Sequence, residues 1–154
     1  MHDWKKALEI YHPEYQLVSD ILGQGTSIKM KLVPFKYPFT VEQIFEYFTA
    51  PATSLYLAQM AYVYCYIQAK NCTPVSAAIP PLASFQQERD AAHLRITSQN
   101  VRFVQPVEAN QPTWASMVCN RFRWANKKSY VSLSGEIGEG IHYKMLCCWI
   151  AEID

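Results

Sequence analysis

The chain has 154 residues, half of them hydrophobic, and its 14 Lys and Arg against 13 Asp and Glu leave a net charge of +1. At that length one domain with a well-filled core is expected. So even a charge balance gives no reason to expect nucleic acid or an anionic membrane surface as partner.

The opening stretch, MHDWKKALEIYHPEY, is charged and lacks a continuous apolar run, so no secretory signal is expected. Trp4, Ala7, Leu8 and Tyr11 recur at helical spacing, which predicts a short amphipathic helix capped by Asp3 and ended by Pro13. Residues 15–22 and 27–33 flank GQGT. In the second run Ile28, Met30 and Leu32 alternate with Lys29, Lys31 and Val33, the pattern of a half-buried strand. Gly23 and Gly25 supply a turn, so the two runs read as a hairpin or bent strand pair. Pro34 and Pro38 bound an irregular stretch. Residues 40–47 read as a helical turn capped by Thr40, with Gln43 completing a capping box.

Residues 51–70 follow, apolar on nearly every side, with Thr49 placed to cap and Pro51 suited to a first turn. A helix of this kind belongs in a core. It would run about 30 Å, but Ser54, Gln59, Gln68 and several Tyr hydroxyls disqualify it as a membrane span. Residues 71–84, with Pro74, Pro80 and Pro81, read as a loop, and 85–92 as one short helix. From His93 onward the period is two. Strands are predicted over 94–104, 113–124, 128–136 and 141–153, broken near Asn110, Asn126 and Gly138. The architecture is α+β: a strand pair, a long buried helix, then an antiparallel meander curling around it. Open edge strands in a small sheet commonly pair with a second copy.

Five Cys, at 65, 72, 119, 147 and 148, are odd in number and show no C-x-x-C spacing. Reduced thiols in a cytoplasmic protein are expected, and no metal site. His93 and His142 lie on predicted strands without a second ligand at metal spacing.

Local motifs carry a resemblance. Val101–Val107, VRFVQPV, followed by Asn110, resembles the "aRFrrPV–PGD" segment of hot-dog fold acyl-thioester enzymes, and Leu57-Ala58-Gln59 resembles the "LAQ" of their central helix. Tyr47-Phe48 stands where many have His-Phe. The similarity runs from about residue 15 to 153 and implies the hot-dog fold, an antiparallel sheet wrapped around one long helix, with a single domain over 1–154. The dehydratase branch uses that His with a helical Glu or Asp; here those positions are Tyr47 and Leu55, and the helix interior holds no Asp, Glu or His.

The closer match is to FcoT-type long-chain fatty acyl-CoA thioesterases. Tyr47-Phe48-Thr49-Ala50 and Ala58-Gln59-Met60-Ala61-Tyr62 align without a gap to His-Phe-Asn-Ala and Asn-Gln-Leu-Ala-Tyr. Gln99–Asn110 looks like "SSRFRKPLNP", and residues 147–154 echo "SGEIELA". That family also lacks a helical carboxylate and relies on Tyr and Asn side chains. The resemblance implies hydrolysis of an acyl-CoA or acyl-carrier-protein thioester, with CoA or phosphopantetheine as part of the substrate and no separate cofactor. Its partners would be a homodimer or higher oligomer, a hexamer included, and an acyl carrier protein. Thr49 takes the place of the family's helix-start Asn. Tyr15 corresponds to its N-terminal Tyr, and Tyr37, Phe39 or Tyr47 fills the place of its upstream Tyr.

The chemistry needs a nucleophilic water, a group to hold it and donors for the oxyanion. Thr49 either orients water or the carbonyl or serves only as a cap, and one side chain can do both. Tyr47 either donates to the carbonyl or packs at the helix entrance. Glu46 and Glu42 are general-base candidates whose other reading is a solvated face. The amides of Ala52 and Thr53 sit at the positive end of the helix. Gln59 must find partners inside an apolar helix, with a structural bond to strand backbone set against substrate contact. Lys127, Lys128, Arg121 and Arg123 either touch a CoA phosphate or acidic carrier or form a solvated turn. Two rival functions stand beside hydrolysis: a lyase adding to or eliminating from an α,β-unsaturated acyl thioester, and acyl binding without catalysis.

Overall fold

The computed structural model describes residues 3–23, 25–36 and 45–150. Six antiparallel strands form one sheet in the order β1-β2-β4-β5-β6-β3, where β1 is Val18–Leu22, β2 Ser27–Leu32, β3 Leu94–Phe103, β4 Thr113–Ala125, β5 Lys128–Ile137 and β6 Ile141–Ile150. The four predicted later strands are present, and β4, β5 and β6 pair in succession as the expected meander, but β3 does not join it in sequence order. β3, first in sequence among the four later strands, crosses to the far side of β6 and becomes an edge.

One face of the sheet is apolar because the alternation is regular: Ile28, Met30 and Leu32 on β2, Ala115 and Met117 on β4, Val131 and Leu133 on β5, Tyr143, Met145 and Cys147 on β6 are all buried. Across that face lies α1, Ala50–Lys70. Polar side chains on α1 lace it to the β1–β2 hairpin. The Tyr56 hydroxyl donates to Val33 O at 2.6 Å, the Tyr64 hydroxyl to Thr26 O at 2.7 Å, and Gln68 Nε2 to Gly25 O at 2.8 Å. The sheet does not enclose the helix on every side. The other face of α1 is covered in part by the N-terminal segment, Asp3–Leu8, which buries Trp4, Ala7 and Leu8.

That segment is a 3-10 helix and not the predicted α-helix. Its last carbonyls are tied down from outside: the buried Arg89 guanidinium, on α2 (Phe85–Asp90), donates to Lys6 O and Ala7 O at 2.8 Å each. A tertiary partner thus replaces the carbonyl bonds that a continuing α-helix would make. The loop over 71–84 also contains a short 3-10 helix, Pro74–Ala78.

Turn chemistry fixes the strand registers. Asn126 and Lys127 have φ of 51° and 61°, the left-handed pair of a type I′ turn joining β4 to β5. Gly140 accepts from Val104 N–H at 2.7 Å and Gln105 N–H at 3.3 Å, and a Cβ there would lie 2.4 Å from Gln105 O. The glycine thus lets the segment after β3 fold closely over the β5–β6 turn.

Candidate active site at the N-terminal end of α1

Thr49 caps α1 as its sequence position requires, with φ −104° and ψ 161°, and its hydroxyl accepts from Ala52 N–H at 3.4 Å. Thr53 is fully buried; its N–H donates to Thr49 O at 2.9 Å and its hydroxyl to the same carbonyl at 2.8 Å. The two amides that the sequence offers to an oxyanion, Ala52 and Thr53, are therefore both engaged in the cap.

The segment leading into the helix is extended where it is described. Phe48 N–H donates to Val107 O at 3.0 Å, Ala109 N–H to Glu46 O at 2.7 Å, and Tyr47 forms an isolated β-bridge with Glu108. The expected helical turn over 40–47 is not present in its described part, because backbone pairing with 107–109 claims it; the rest, with the Thr40 cap, Gln43 and Glu42, lies outside the described residues. Tyr37 and Phe39 lie outside them as well.

The bridge sets three ionisable side chains together. The Tyr47 ring is 45% exposed, and its hydroxyl pKa is raised, first by its hydrogen bond to the Glu46 carboxylate, then by the charges of Glu46 and Glu108. A phenolate beside two carboxylates is disfavoured, so Tyr47 stays a hydrogen-bond donor well into the alkaline range. Glu108 in turn accepts from Gln111 Nε2. Glu108 is the residue that sequence reading missed. It follows the VRFVQPV run, and only the fold back over the helix entrance brings it to Tyr47.

Two open cavities flank this point. One, of about 370 Å³, is lined by Tyr47, Phe48, Phe103, Val104, Gln105 and Pro106. The other, of about 420 Å³, runs beside the exposed flank of α1 and includes Tyr15, Phe35, Leu55 and Gln59, with Ile10 and Leu17. A narrow gap between them shares Phe35 with the second and Tyr47 with the first, and is closed in by Phe45, Ala52 and Tyr56. The candidates therefore divide: Glu46, Tyr47 and Thr49 gather at the helix entrance, Tyr15 and Gln59 in the flanking groove. Gln59 is spent on backbone there, accepting from Leu17 N–H and donating to Tyr15 O, both at 2.7 Å. The Tyr15 ring lies 6.0 Å from that of Phe35.

The cysteines are all free thiols. Burial pushes the Cys147 thiol up to about 12 and Cys65 well above its ordinary value, which makes both poor nucleophiles. Among the described residues no group of three or more His, Cys, Asp and Glu is placed to hold a metal ion, and no helix is long and apolar enough to cross a membrane.

No protein-family model matches the sequence, and no curated protein matches it by sequence. Solved structures do share its fold. The 4-hydroxybenzoyl CoA thioesterase from Pseudomonas sp. strain CBS-3 gives a TM-score of 0.50 at 15% identity, covering 81% of this chain and 85% of that one. A phenylacetic acid degradation-related protein from Ralstonia eutropha JMP134 gives 0.53 at 11% identity, with 94% and 96% covered. A hypothetical thioesterase protein with coenzyme A from Streptococcus pneumoniae TIGR4 gives 0.50 at 4% identity, with 88% of each chain covered. At such identities the likeness is one of fold. With the six-stranded antiparallel sheet and the long helix, it fits the α+β hot-dog arrangement.

Proposed function

We propose that the chain hydrolyses an acyl thioester at the N-terminal end of α1. The observation that carries this reading is Tyr47, which lines an open cavity at the helix entrance with the charges of Glu46 and Glu108 beside it. The solved structures with this fold add support, since two of them are described as thioesterases and one of those is reported with coenzyme A.

In this scheme the Tyr47 hydroxyl exchanges its hydrogen bond to Glu46 for one to the thioester carbonyl oxygen, which frees the carboxylate, and the helix dipole favours the negative charge that develops on the carbonyl. Glu46 or Glu108 takes a proton from water as the water oxygen bonds to the carbonyl carbon. Collapse of the tetrahedral adduct breaks the C–S bond, and the departing thiolate recovers the proton. Thr49 holds the cap in register with this entrance. The sulfur side is CoA or a carrier-bound phosphopantetheine.

The acyl chain lies along α1 in the groove beside Leu55, which suits a long-chain substrate of the FcoT type. Two features support an apolar occupant. Leu55 is 42% and Ile10 49% exposed at its rim, and the Gln59 amide is already satisfied by backbone. The working form is a homo-oligomer in which a second copy pairs with β3, whose outer edge has no strand partner among the described residues.

Purified protein is mixed with acyl-CoAs of graded chain length, and free thiol is measured. Release above background, fastest for long apolar chains, is the expected result. No release at any length overturns hydrolysis. A change of mass in an enoyl thioester without released acid would assign the lyase chemistry instead.

A further inference from the structure

The face of the sheet turned away from α1 carries a second feature that hydrolysis does not use. Register and burial fix which residues point that way. Arg123 on β4 stands opposite Tyr130 on β5, which stands opposite Cys148 on β6, itself opposite Arg95 on β3. The next row runs Arg121, Ser132, Leu146 and Ser98, and Lys144 and Lys128 lie on the rows to either side. With Lys127 in the adjoining turn, six exposed cations surround an apolar centre of Tyr130, Leu146 and Ile150. The Arg123 guanidinium sits 5.5 Å from the Tyr130 ring centroid. Within the patch, over 94–100, 118–125, 128–134 and 144–150, no strand residue is acidic; the same face carries Glu136 one row beyond Lys144, 3.9 Å from His142. Among the described residues none of the six cations stands within ion-pair distance of a carboxylate.

Single sign is what makes this patch informative. A face that is merely solvated carries both signs in a chain of 14 cations and 13 acids. A face that packs on its own copy must be self-complementary, and a two-fold would set these cations against each other. Nucleic acid is disfavoured by the near-neutral whole chain, whose pI is about 7.6. An apolar strip rimmed by Arg and Lys instead fits an amphipathic helix with acidic flanks.

We propose that this half of the outer sheet face docks the acidic helix of an acyl carrier protein. The inference rests on the thioester reading and names how the substrate arrives. Arg123 lies ten residues along β4 from Thr113, about 33 Å from the strand end nearer the α1 entrance. Antiparallel pairing of β3 with a second copy reverses one sheet against the other. The patch of one protomer then lies beside the entrance of the other, and a docked carrier feeds the neighbouring site.

Calorimetric titration of the intact protein with holo acyl carrier protein from the same host tests docking without reference to catalysis. Binding that weakens with added salt, and weakens tenfold or more in Arg121→Glu/Arg123→Glu, is expected. Neither exposed residue belongs to the helix-entrance site, so turnover of an uncharged acyl-pantetheine thioester by the variant stays at the wild-type rate. Absence of binding, or binding unchanged by the charge reversals, overturns the proposal. So does equal or tighter binding to single-stranded RNA or to vesicles rich in phosphatidylserine. If hydrolysis fails while carrier binding is charge-dependent, the docking surface stands and the chemistry is what falls.

Discussion

The two halves of α1 differ in how they are used. From Val63 to Gln68 every residue is buried, and Tyr64 and Gln68 bond outward to the backbone of the β1–β2 hairpin. From Ala50 to Ala58 the helix exposes Pro51, Ser54 and Leu55, lines the flanking groove with Leu55 and closes the narrow gap with Ala52 and Tyr56. The first half to enter the chain is held by a cap and a β-bridge, the second by packing and side-chain bonds. One helix therefore serves as an anchor at its C-terminal end and as a wall of the candidate site at its start. Substitutions in the anchor should change stability, and those at the entrance should change activity.

The largest effect is expected in the anchor. Tyr64→Ala empties a fully buried ring site and removes the hydroxyl that joins Thr26 O at 2.7 Å and Cys119 N–H at 3.1 Å, leaving those two only their own 3.4 Å bond. A loss of about 3–5 kcal/mol is expected in denaturant unfolding. At the entrance, Tyr47→Phe should slow thiol release by about 10²-fold, the scale of one lost oxyanion donor, with an unchanged unfolding midpoint because the ring is half exposed. If Tyr47→Phe unfolds the protein, or Tyr64→Ala leaves stability intact, the division between the halves is wrong.

Gln68→Met is the subtler test of the anchor. It leaves Gly25 O and the Thr73 hydroxyl without the partners they now have at 2.8 and 2.6 Å, and should cost about 1–3 kcal/mol. Thr49→Ala sits on the boundary. Loss of the cap alone costs about 1 kcal/mol, and any fall in turnover beyond that measures a role in orienting water or carbonyl.

The smallest effect is a shift in pH dependence. The Tyr47 hydroxyl donates only while protonated, and the Glu46 hydrogen bond with the nearby carboxylate charges raises its pKa. Activity should therefore persist above the ordinary tyrosine range and fall only as pH passes that raised value. Glu46→Gln removes the first cause, so the alkaline limb should move to lower pH. A limb that stays in place in Glu46→Gln would separate Tyr47 from the chemistry.

Local sequence rules reach most of the architecture and only part of the site. The strands from Leu94 to Ile150 were legible because their period-two alternation coincides with a single buried face. α1 was legible from its length, its cap and its unbroken apolar content. Residues 3–8 misled because helical spacing does not record that Arg89, more than eighty positions away, will take their carbonyls. Glu108 was hidden for a similar reason: nothing local in PVEAN says that it will bridge to Tyr47. The split of Tyr15 and Gln59 from Tyr47 was likewise invisible, since nothing in the sequence records on which side of the helix entrance each side chain will stand.

A structure of the protein with a non-hydrolysable long-chain acyl-CoA ketone analogue, in which a methylene replaces the sulfur, tests the central claim most directly. The account predicts the carbonyl oxygen within roughly 2.6–3.2 Å of the Tyr47 hydroxyl, with the chain running past Phe35 to Leu55. A carbonyl held elsewhere, with Tyr47 making no contact to it, would contradict it.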